Sequence, residues 1–210
     1  MKTKSALTPR PGKPGASAEY PKADIANTDL LVLRNLEKNK IRKTTALLGA
    51  FCMFLSTIEY MIPKPMPFMR IGIANLPIML AIDILPFHSF ILLATIKIFG
   101  QSLITGTLFS YVFIFSLTGT LLSALAMFSL RRALKPDLLG FIGTGVLGAM
   151  VSNFTQLAMA FIFVFGSAIK FLAPPFLAAG VVTGILLGIF CELFARQSQW
   201  YANHKKRWIA

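Results

Sequence analysis

The chain has 210 residues, of which 55% are hydrophobic and 14% are charged, and its mean hydropathy is +0.68. Soluble domains carry about a quarter charged residues, so this composition is that of a membrane protein. It excludes a soluble enzyme, a nucleic-acid-binding domain and a secreted module held together by disulfides. The net charge of +13 does not indicate a nucleic-acid partner, because most basic residues flank apolar segments, where they fix membrane topology.

The charges are unevenly distributed along the chain. Residues 1–43 carry ten Lys/Arg and four Asp/Glu, whereas residues 44–195 carry only 11 charged side chains. We therefore predict a basic, mostly disordered cytoplasmic tail (1–43), a transmembrane domain (44–195) and a basic cytoplasmic C-terminal tail (196–210). Within the first tail, residues 30–36 form a short amphipathic stretch. It either lies on an anionic membrane surface or belongs to the solvated tail.

Six apolar segments have a length close to that of a membrane-spanning helix. Such a helix needs about 20 mostly apolar residues to cross a hydrocarbon core of about 30 Å. The six segments are 44–62, 71–86, 89–105, 108–130, 138–165 and 173–195. The second and third are short and meet at the turn around Pro86, so they could instead merge or insert only halfway. The predicted fold class is all-α, a polytopic membrane bundle of about six transmembrane helices.

The basic residues predict the orientation of this bundle. With both termini in the cytoplasm, 17 Lys/Arg fall on the cytoplasmic side and three fall outside, namely Lys64, Arg70 and Lys170. Short cytoplasmic loops of membrane proteins carry an excess of Lys and Arg, so this split favours cytoplasmic termini. Lys97 is the remaining basic residue, and it lies inside the third predicted span.

Charged and amide side chains at membrane depth are the strongest functional signal. A charged side chain at the bilayer centre costs about 2.5 to 3.5 kcal/mol on insertion, so such residues face the bundle interior or a water-filled cavity. In the predicted topology, several polar side chains share the outer half or the middle of the bilayer: Glu59, Arg70, Asn75, Lys97, Gln101, Asn153 and Gln156. We predict that they form one ligand site open to the outside. The alternative is that they only cross-link helices.

The other polar residues are interpreted as structural. Asp83 and Glu192 lie near the inner ends of their spans, where they reach the interface or pair with a loop cation. Serines such as Ser123 have no neighbouring His to activate them and are typical of helix packing. The two His residues lack the neighbours of a metal site, and there is no GxxxxGK phosphate loop. We therefore expect no metal and no ATP hydrolysis by this chain alone.

Small residues indicate where helices approach each other closely. Gly180, Gly184 and Gly188 form a GxxxGxxxG pattern on the last span, which is typical of close helix packing in membranes. Ala46 and Ala50 form a shorter pair of small residues on the first span. This pair serves either packing inside the domain or contact with a partner.

A longer motif carries a resemblance to a known family. Glu59 is followed by the loop IPKPMP (62–67) and by RIGIANL (70–76). Further matches are Lys97 with Gly106, the segment FSLTG (115–119), and Gly148-Ala149 followed by Asn153 and Gln156. Over about residues 44–195 the sequence resembles the bacterial family called Gx transporter, also called heptaprenyl diphosphate synthase component I.

The resemblance implies a fold, a ligand and a partner. Members of this family are similar to the S components of energy-coupling factor transporters. Those components have six helices and bind a vitamin-like substrate from outside, beneath the loop between helices one and two. Small residues on their first helix contact a partner, which implies that Ala46 and Ala50 dock a transmembrane coupling module with its ATPase. The family also implies the bacterial inner membrane and a flavin- or quinone-related ligand.

The two family names imply different functions. A prenyl diphosphate synthase holds Mg²⁺ with clustered aspartates, but residues 44–195 contain only Asp83 and Asp137, which are 54 positions apart. This disfavours an enzyme, and we predict a membrane-embedded binding or transport subunit without a cofactor. Two alternatives remain open. One is an accessory component of prenyl diphosphate or quinone metabolism, and the other is a membrane scaffold without a ligand.

The predicted orientation can be tested by cysteine labelling. Because Met66 lies in the outer loop and Ala133 in an inner loop of this topology, an impermeant thiol reagent added from outside should label a Cys at position 66. It should not reach a Cys at position 133. The reverse labelling pattern would contradict the orientation and the outward-facing site.

Overall fold

The computed structural model describes residues 22–62, 72–134 and 140–205, and over these residues it contains α-helices and no strand. The helices are α1 (Lys22–Met61), α2 (Leu76–Ala81), α3 (Phe87–Ile104), α4 (Tyr111–Ala133), α5 (Phe141–Ala160), α6 (Ile169–Gln197) and α7 (Gln199–Lys205). A short 3-10 helix, Ile73–Asn75, leads into α2, and a π-helical turn, Phe161–Phe165, follows α5. The predicted all-α fold class is confirmed.

Five helical segments within the described residues are long and apolar enough to cross a membrane. They are Asp29–Met61, Phe87–Ile104, Tyr111–Ala133, Phe141–Val164 and Ile169–Gln197. Many large apolar side chains point away from the protein interior, among them Leu103 and Phe171. Such exposure would be costly in water, so these helices are suited to contact with lipid. The chain is a polytopic membrane protein.

The second predicted span, 71–86, is not a membrane-length helix. Its helical core α2 has six residues and is therefore about 9 Å long, far short of the bilayer core. Pro77 lies in the first turn of α2 and a non-helical turn follows Ala81. All six side chains of α2 are buried. The apolar run in the sequence therefore reflects contact with protein rather than contact with lipid.

Contacts between neighbouring helices establish their relative directions. Gly49 and Ile96 lie side by side, as do Met53 and Gly100, so α1 and α3 run parallel. Helices α4 and α6 run in the opposite direction. The residue pairs in contact show this, because the number of one residue rises as that of its partner falls: Phe90 with Phe128, Phe99 with Phe113, Arg131 with Thr144, and Asn153 with Gly180. We call the two ends of this bundle the Glu59 end and the Arg131 end.

Two units divide the chain, Met1–Asn39 and Lys40–Ala210. In the first unit, the helix begins at Lys22, and the disorder of the tail stays a prediction. Its side chains from Asp29 to Asn39 are exposed, including the predicted amphipathic stretch. Residues 1–21 lie outside the described residues. In the second unit, the C-terminal tail contains the end of α6 and α7.

Glycines allow α5 and α6 to approach each other closely. A Cβ atom on Gly184 would lie 2.9 Å from the carbonyl oxygen of Gly145, and one on Gly188 would collide with the backbone of Ile142. Backbone atoms cannot move aside as a flexible side chain can. The predicted GxxxGxxxG pattern therefore marks a helix–helix contact inside the domain.

This contact predicts the effect of adding a methyl group. Gly184→Ala should destabilise the protein by about 1 to 3 kcal/mol, the usual cost of overpacking, and it should lower the melting temperature in mild detergent. Gly49→Ala is the matched control, because its Cβ would meet Ile96 at an ordinary 3.5 Å and Ala is the better helix former. Equal melting temperatures for the two variants would contradict this packing.

Candidate ligand cavity

One cavity inside the bundle brings most of the predicted site residues together. Its lining includes six of the seven: Glu59, Asn75, Lys97, Gln101, Asn153 and Gln156. Arg70 lies outside the described residues. The six side chains come from α1, the 3-10 helix, α3 and α5. Residues far apart in the sequence thus meet at one place, and their role in binding a ligand stays a prediction.

Glu59 is a buried carboxylate whose hydrogen bonds hold the start of the short segment before α2. Its Oε1 accepts a hydrogen bond from the Gly72 N–H at 3.1 Å, and its Oε2 accepts one from the Ala74 N–H at 3.3 Å. Gly72 has φ of +84°, in the left-handed region that favours glycine. Hydrogen bonds from backbone N–H groups compensate part of the cost of burying this charge.

Lys97 contacts the same short segment from the side of α3. Its Nζ donates a hydrogen bond to Asn75 Oδ1 at 2.9 Å, and only 3% of the residue is exposed. Glu59 and Lys97 therefore hold residues 72–75 between them. The structure connects the Glu59 and Lys97 side chains through this segment.

The two amides of α5 are placed by glycines on the neighbouring helices. Asn153 Nδ2 donates to the Phe176 carbonyl at 3.2 Å, and it occupies the space that a Cβ on Gly180 would fill. Gln156 Nε2 donates to Ser152 Oγ at 2.9 Å. Within the described part of the chain, each of these amides makes one hydrogen bond, although an amide can make four. Both therefore retain capacity for a ligand.

Sequence analysis missed several hydroxyl groups of the cavity. Thr120, Ser123, Ser152 and Thr183 also line it. Ser123 donates to the Gly148 carbonyl at 2.8 Å, so its predicted packing role is confirmed, yet it also faces the cavity. Ser152 could have been predicted as a lining residue, because it lies four residues before Gln156 and therefore on the same helix face.

The cavity is narrow in this conformation. Water molecules can place their centres in about 40 Å³ of it, and one water requires about 10 to 15 Å³ of such space. Met79 and Met127 contribute to the lining. Methionine side chains adapt their shape easily, so a ligand larger than a few waters would enter as these side chains move aside.

Ala46 and Ala50, the predicted docking residues, both have exposed side chains. Ala50 also lines an apolar groove outside the cavity, together with residues of α1, α2, α6 and α7: Leu47, Leu48, Phe51, Phe54, Leu80, Phe194 and Trp200. The pair is therefore accessible on the surface of α1. Its role in docking stays a prediction.

The remaining titratable residues do not form a metal site in the part of the chain that the structure describes, because no group of three or more His, Cys, Asp or Glu could hold an ion there. Asp83 forms an ion pair with Arg131, and Glu192 forms one with Arg196. Both acidic residues thus pair with cations, as we expected from their positions near the ends of their spans.

Comparison with known proteins gave one match. The family described as heptaprenyl diphosphate synthase component I matches the chain over residues 48–194, which include α2 to α5, parts of α1 and α6, and all the residues that line the cavity. Comparison with curated proteins and with solved structures gave no match.

Proposed function

Because the chain belongs to the heptaprenyl diphosphate synthase component I family, and because its polar membrane residues line one cavity, we propose that it is a membrane-embedded binding or transport subunit for a small ligand. The observation that carries this proposal is the convergence of six buried or half-buried polar side chains at one place in the bundle. Helices that needed only cross-links would not require polar groups around a shared space.

The chemistry of the lining favours a flavin- or quinone-related ligand. Lys97, Asn153 and Gln156 provide N–H donors, which suit ring carbonyl oxygens. The amides also provide acceptors for ring N–H groups. Met79, Met127 and Leu187 provide apolar surface on which a ring can lie. A vitamin-like ring compound with carbonyl groups uses both kinds of contact.

The proposed orientation places the Glu59 end at the outer face of the bacterial inner membrane and both termini in the cytoplasm. It rests on the 17-to-three split of basic residues. The ligand then enters from outside, beneath the loop that follows Glu59. A coupling module with an ATPase is the proposed energy source, and the exposed Ala46 and Ala50 are its proposed contact.

A second candidate function is an accessory role in prenyl diphosphate or quinone metabolism. The family name and the apolar groove on α1 favour it, because a prenyl chain could lie in such a groove while a partner enzyme supplies the Mg²⁺ site. A scaffold without a ligand is the third alternative.

Mass spectrometry of ligands that copurify in mild detergent distinguishes the three functions. A flavin or quinone-like ring compound supports the proposal, a prenyl lipid supports the accessory role, and no ligand supports the scaffold.

Lys97 provides the sharpest test of the cavity. Lys97→Met keeps most of the side-chain bulk and removes the charge, so binding of the copurified ligand should weaken by about 2 kcal/mol or more, a typical cost for a charged hydrogen bond. Titration of the ligand-stripped protein measures this loss. Lys170→Met is the matched control, because it makes the same substitution at an exposed side chain outside the cavity.

Unchanged ligand affinity in Lys97→Met, together with a lower melting temperature, would mean that Lys97 only holds Asn75 in place.

Glu59→Gln should act differently from Lys97→Met. Its carboxylate accepts two backbone hydrogen bonds, so this variant should lose stability without ligand more than it loses affinity.

The proposed docking role of α1 predicts a variant that loses its partner but still binds the ligand. Replacing Ala46 and Ala50 with Leu adds bulk to an exposed face, so copurification with a transmembrane coupling partner should fail while ligand binding remains nearly intact. Ala158→Leu, at an exposed position of α5, is the control and should leave copurification unchanged. Loss of both binding and expression in the double variant would show that these alanines pack inside the domain.

A further inference from the structure

A second polar cluster lies at the Arg131 end of the bundle, outside the proposed ligand contacts. Arg131 donates two parallel hydrogen bonds to Asp83, from Nε to Oδ1 at 2.8 Å and from Nη2 to Oδ2 at 2.7 Å. Its Nη1 donates to Thr144 Oγ1 at 3.1 Å, and its guanidinium lies 4.2 Å from the ring centre of Phe141. The cluster therefore joins the segment after α2 to α4 and α5.

Tyr201 brings the C-terminal helix into this cluster. Its hydroxyl donates to Asp83 Oδ2 at 2.6 Å, and its ring packs edge-on against Phe141. Burial, reinforced by the negative charge of Asp83, raises the pKa of the Tyr201 phenol, so the hydroxyl remains protonated and able to donate. Tyr201 is the buried residue of α7. Tyr201 and the half-buried Trp200, which packs against the core, hold this seven-residue helix to the bundle.

The cluster forms the layer directly below the cavity. Met79, Met127 and Gly148 line the cavity. Asp83 and Arg131 follow the two methionines by four positions, and Thr144 precedes Gly148 by four. Within α4 and α5, four positions are about one helical turn, and Asp83 lies in the turn that follows α2. At its Arg131 end, the cavity is therefore closed by the side chains of Asp83, Arg131 and Thr144.

We propose that Asp83, Arg131 and Tyr201 form a closed gate between the cavity and the Arg131 end of the bundle, and that α7 is the part that moves when the gate opens. This inference rests on the proposed function, since a gate requires a ligand to pass it. It adds an exit through the bundle itself, so that a ligand bound near Glu59 leaves past Met127 and Arg131.

The charges of the cluster suit a gate that opens and closes. Asp83 keeps Arg131 as its partner when Tyr201 leaves, so release of α7 exposes no unpaired carboxylate. The side chain of Asp83 is 10% exposed and that of Arg131 is 4% exposed, which places the pair at the boundary between the interior and the surface. Release of α7 therefore breaks the hydrogen bond and the ring contact of Tyr201 and the packing of Trp200. The ion pair across the exit then parts as the ligand passes.

The alkylation rate of a native cysteine can measure this opening. Cys191 on α6 is fully buried, and its Sγ lies 3.8 Å from the Leu76 carbonyl, beside the segment that ends at Asp83. Cys52 on α1 is equally buried and serves as an internal control in the same molecule. Alkylation of the full chain in lipid vesicles with N-ethylmaleimide, followed by peptide mass spectrometry, gives a rate for each thiol.

Tyr201→Phe removes the hydroxyl and keeps the ring. The alkylation rate of Cys191 should rise about tenfold, equivalent to about 1.4 kcal/mol, while the rate of Cys52 stays the same. Arg196→Gln is the matched control: it removes the exposed ion pair with Glu192 on the same helix, so neither rate should change. A double variant, Asp83→Asn with Arg131→Gln, removes the charges together and should raise the Cys191 rate further.

An unchanged Cys191 rate in both Tyr201→Phe and the double variant would overturn the gate. An equal rise for Cys52 and Cys191 would also overturn it, because the substitution would then loosen the whole fold. The measurement uses no ligand, so its result is independent of the Lys97 titration. Selective opening at Cys191 with intact binding in Lys97→Met would therefore sustain the moving helix and reject the proposed binding site.

Discussion

The pairing of buried charges along the segment Gly72–Leu85 is the constraint on which the rest of the structure depends. An unpaired charge inside a membrane domain is costly, so each such group must find its partner within the protein. Glu59 and Lys97 hold the beginning of this segment, and Arg131 holds Asp83 near its end. The segment lacks the length of a spanning helix, and these contacts keep it inside the bundle.

The position of this segment determines where space remains for a ligand. Helices α5 and α6 are in close contact at Gly145 and Gly184, and Met79 of α2 lies against the same glycine pair. The cavity extends from this contact, which forms part of its lining, toward Asn153 and Gly180. Its amide groups lie at the Asn153 side of the contact, and the polar groups of the Arg131 end lie beyond it and pair with one another.

The sequence predicted that the polar residues lie close together. It did not predict that the second span contains only a short, buried helix. The membrane depth of the polar side chains could be predicted from the topology, because the apolar segments fix where Lys97 and Gln156 lie along their helices. Hydropathy, however, measures only the apolar content of residues 71–86, and burial against protein gives the same signal as contact with lipid. The pairing of Asp83 with Arg131 joins residues 48 positions apart, and no periodicity predicts it. The helix from Lys22 was not predicted, because the basic tail has no sustained apolar periodicity.

The same segment also connects the two polar clusters mechanically. Asn75 and Asp83 are eight positions apart and are joined by α2 and the turn after it, and the side chains from Leu76 to Ala81 are all buried. A close-packed interior transmits a displacement instead of absorbing it. A ligand that takes Lys97 away from Asn75 therefore shifts the end that Arg131 and Tyr201 hold. By thermodynamic reciprocity, release of Tyr201 would then change the affinity of the proposed site by the same factor, so the proposed site and the proposed gate would respond to each other through six buried residues.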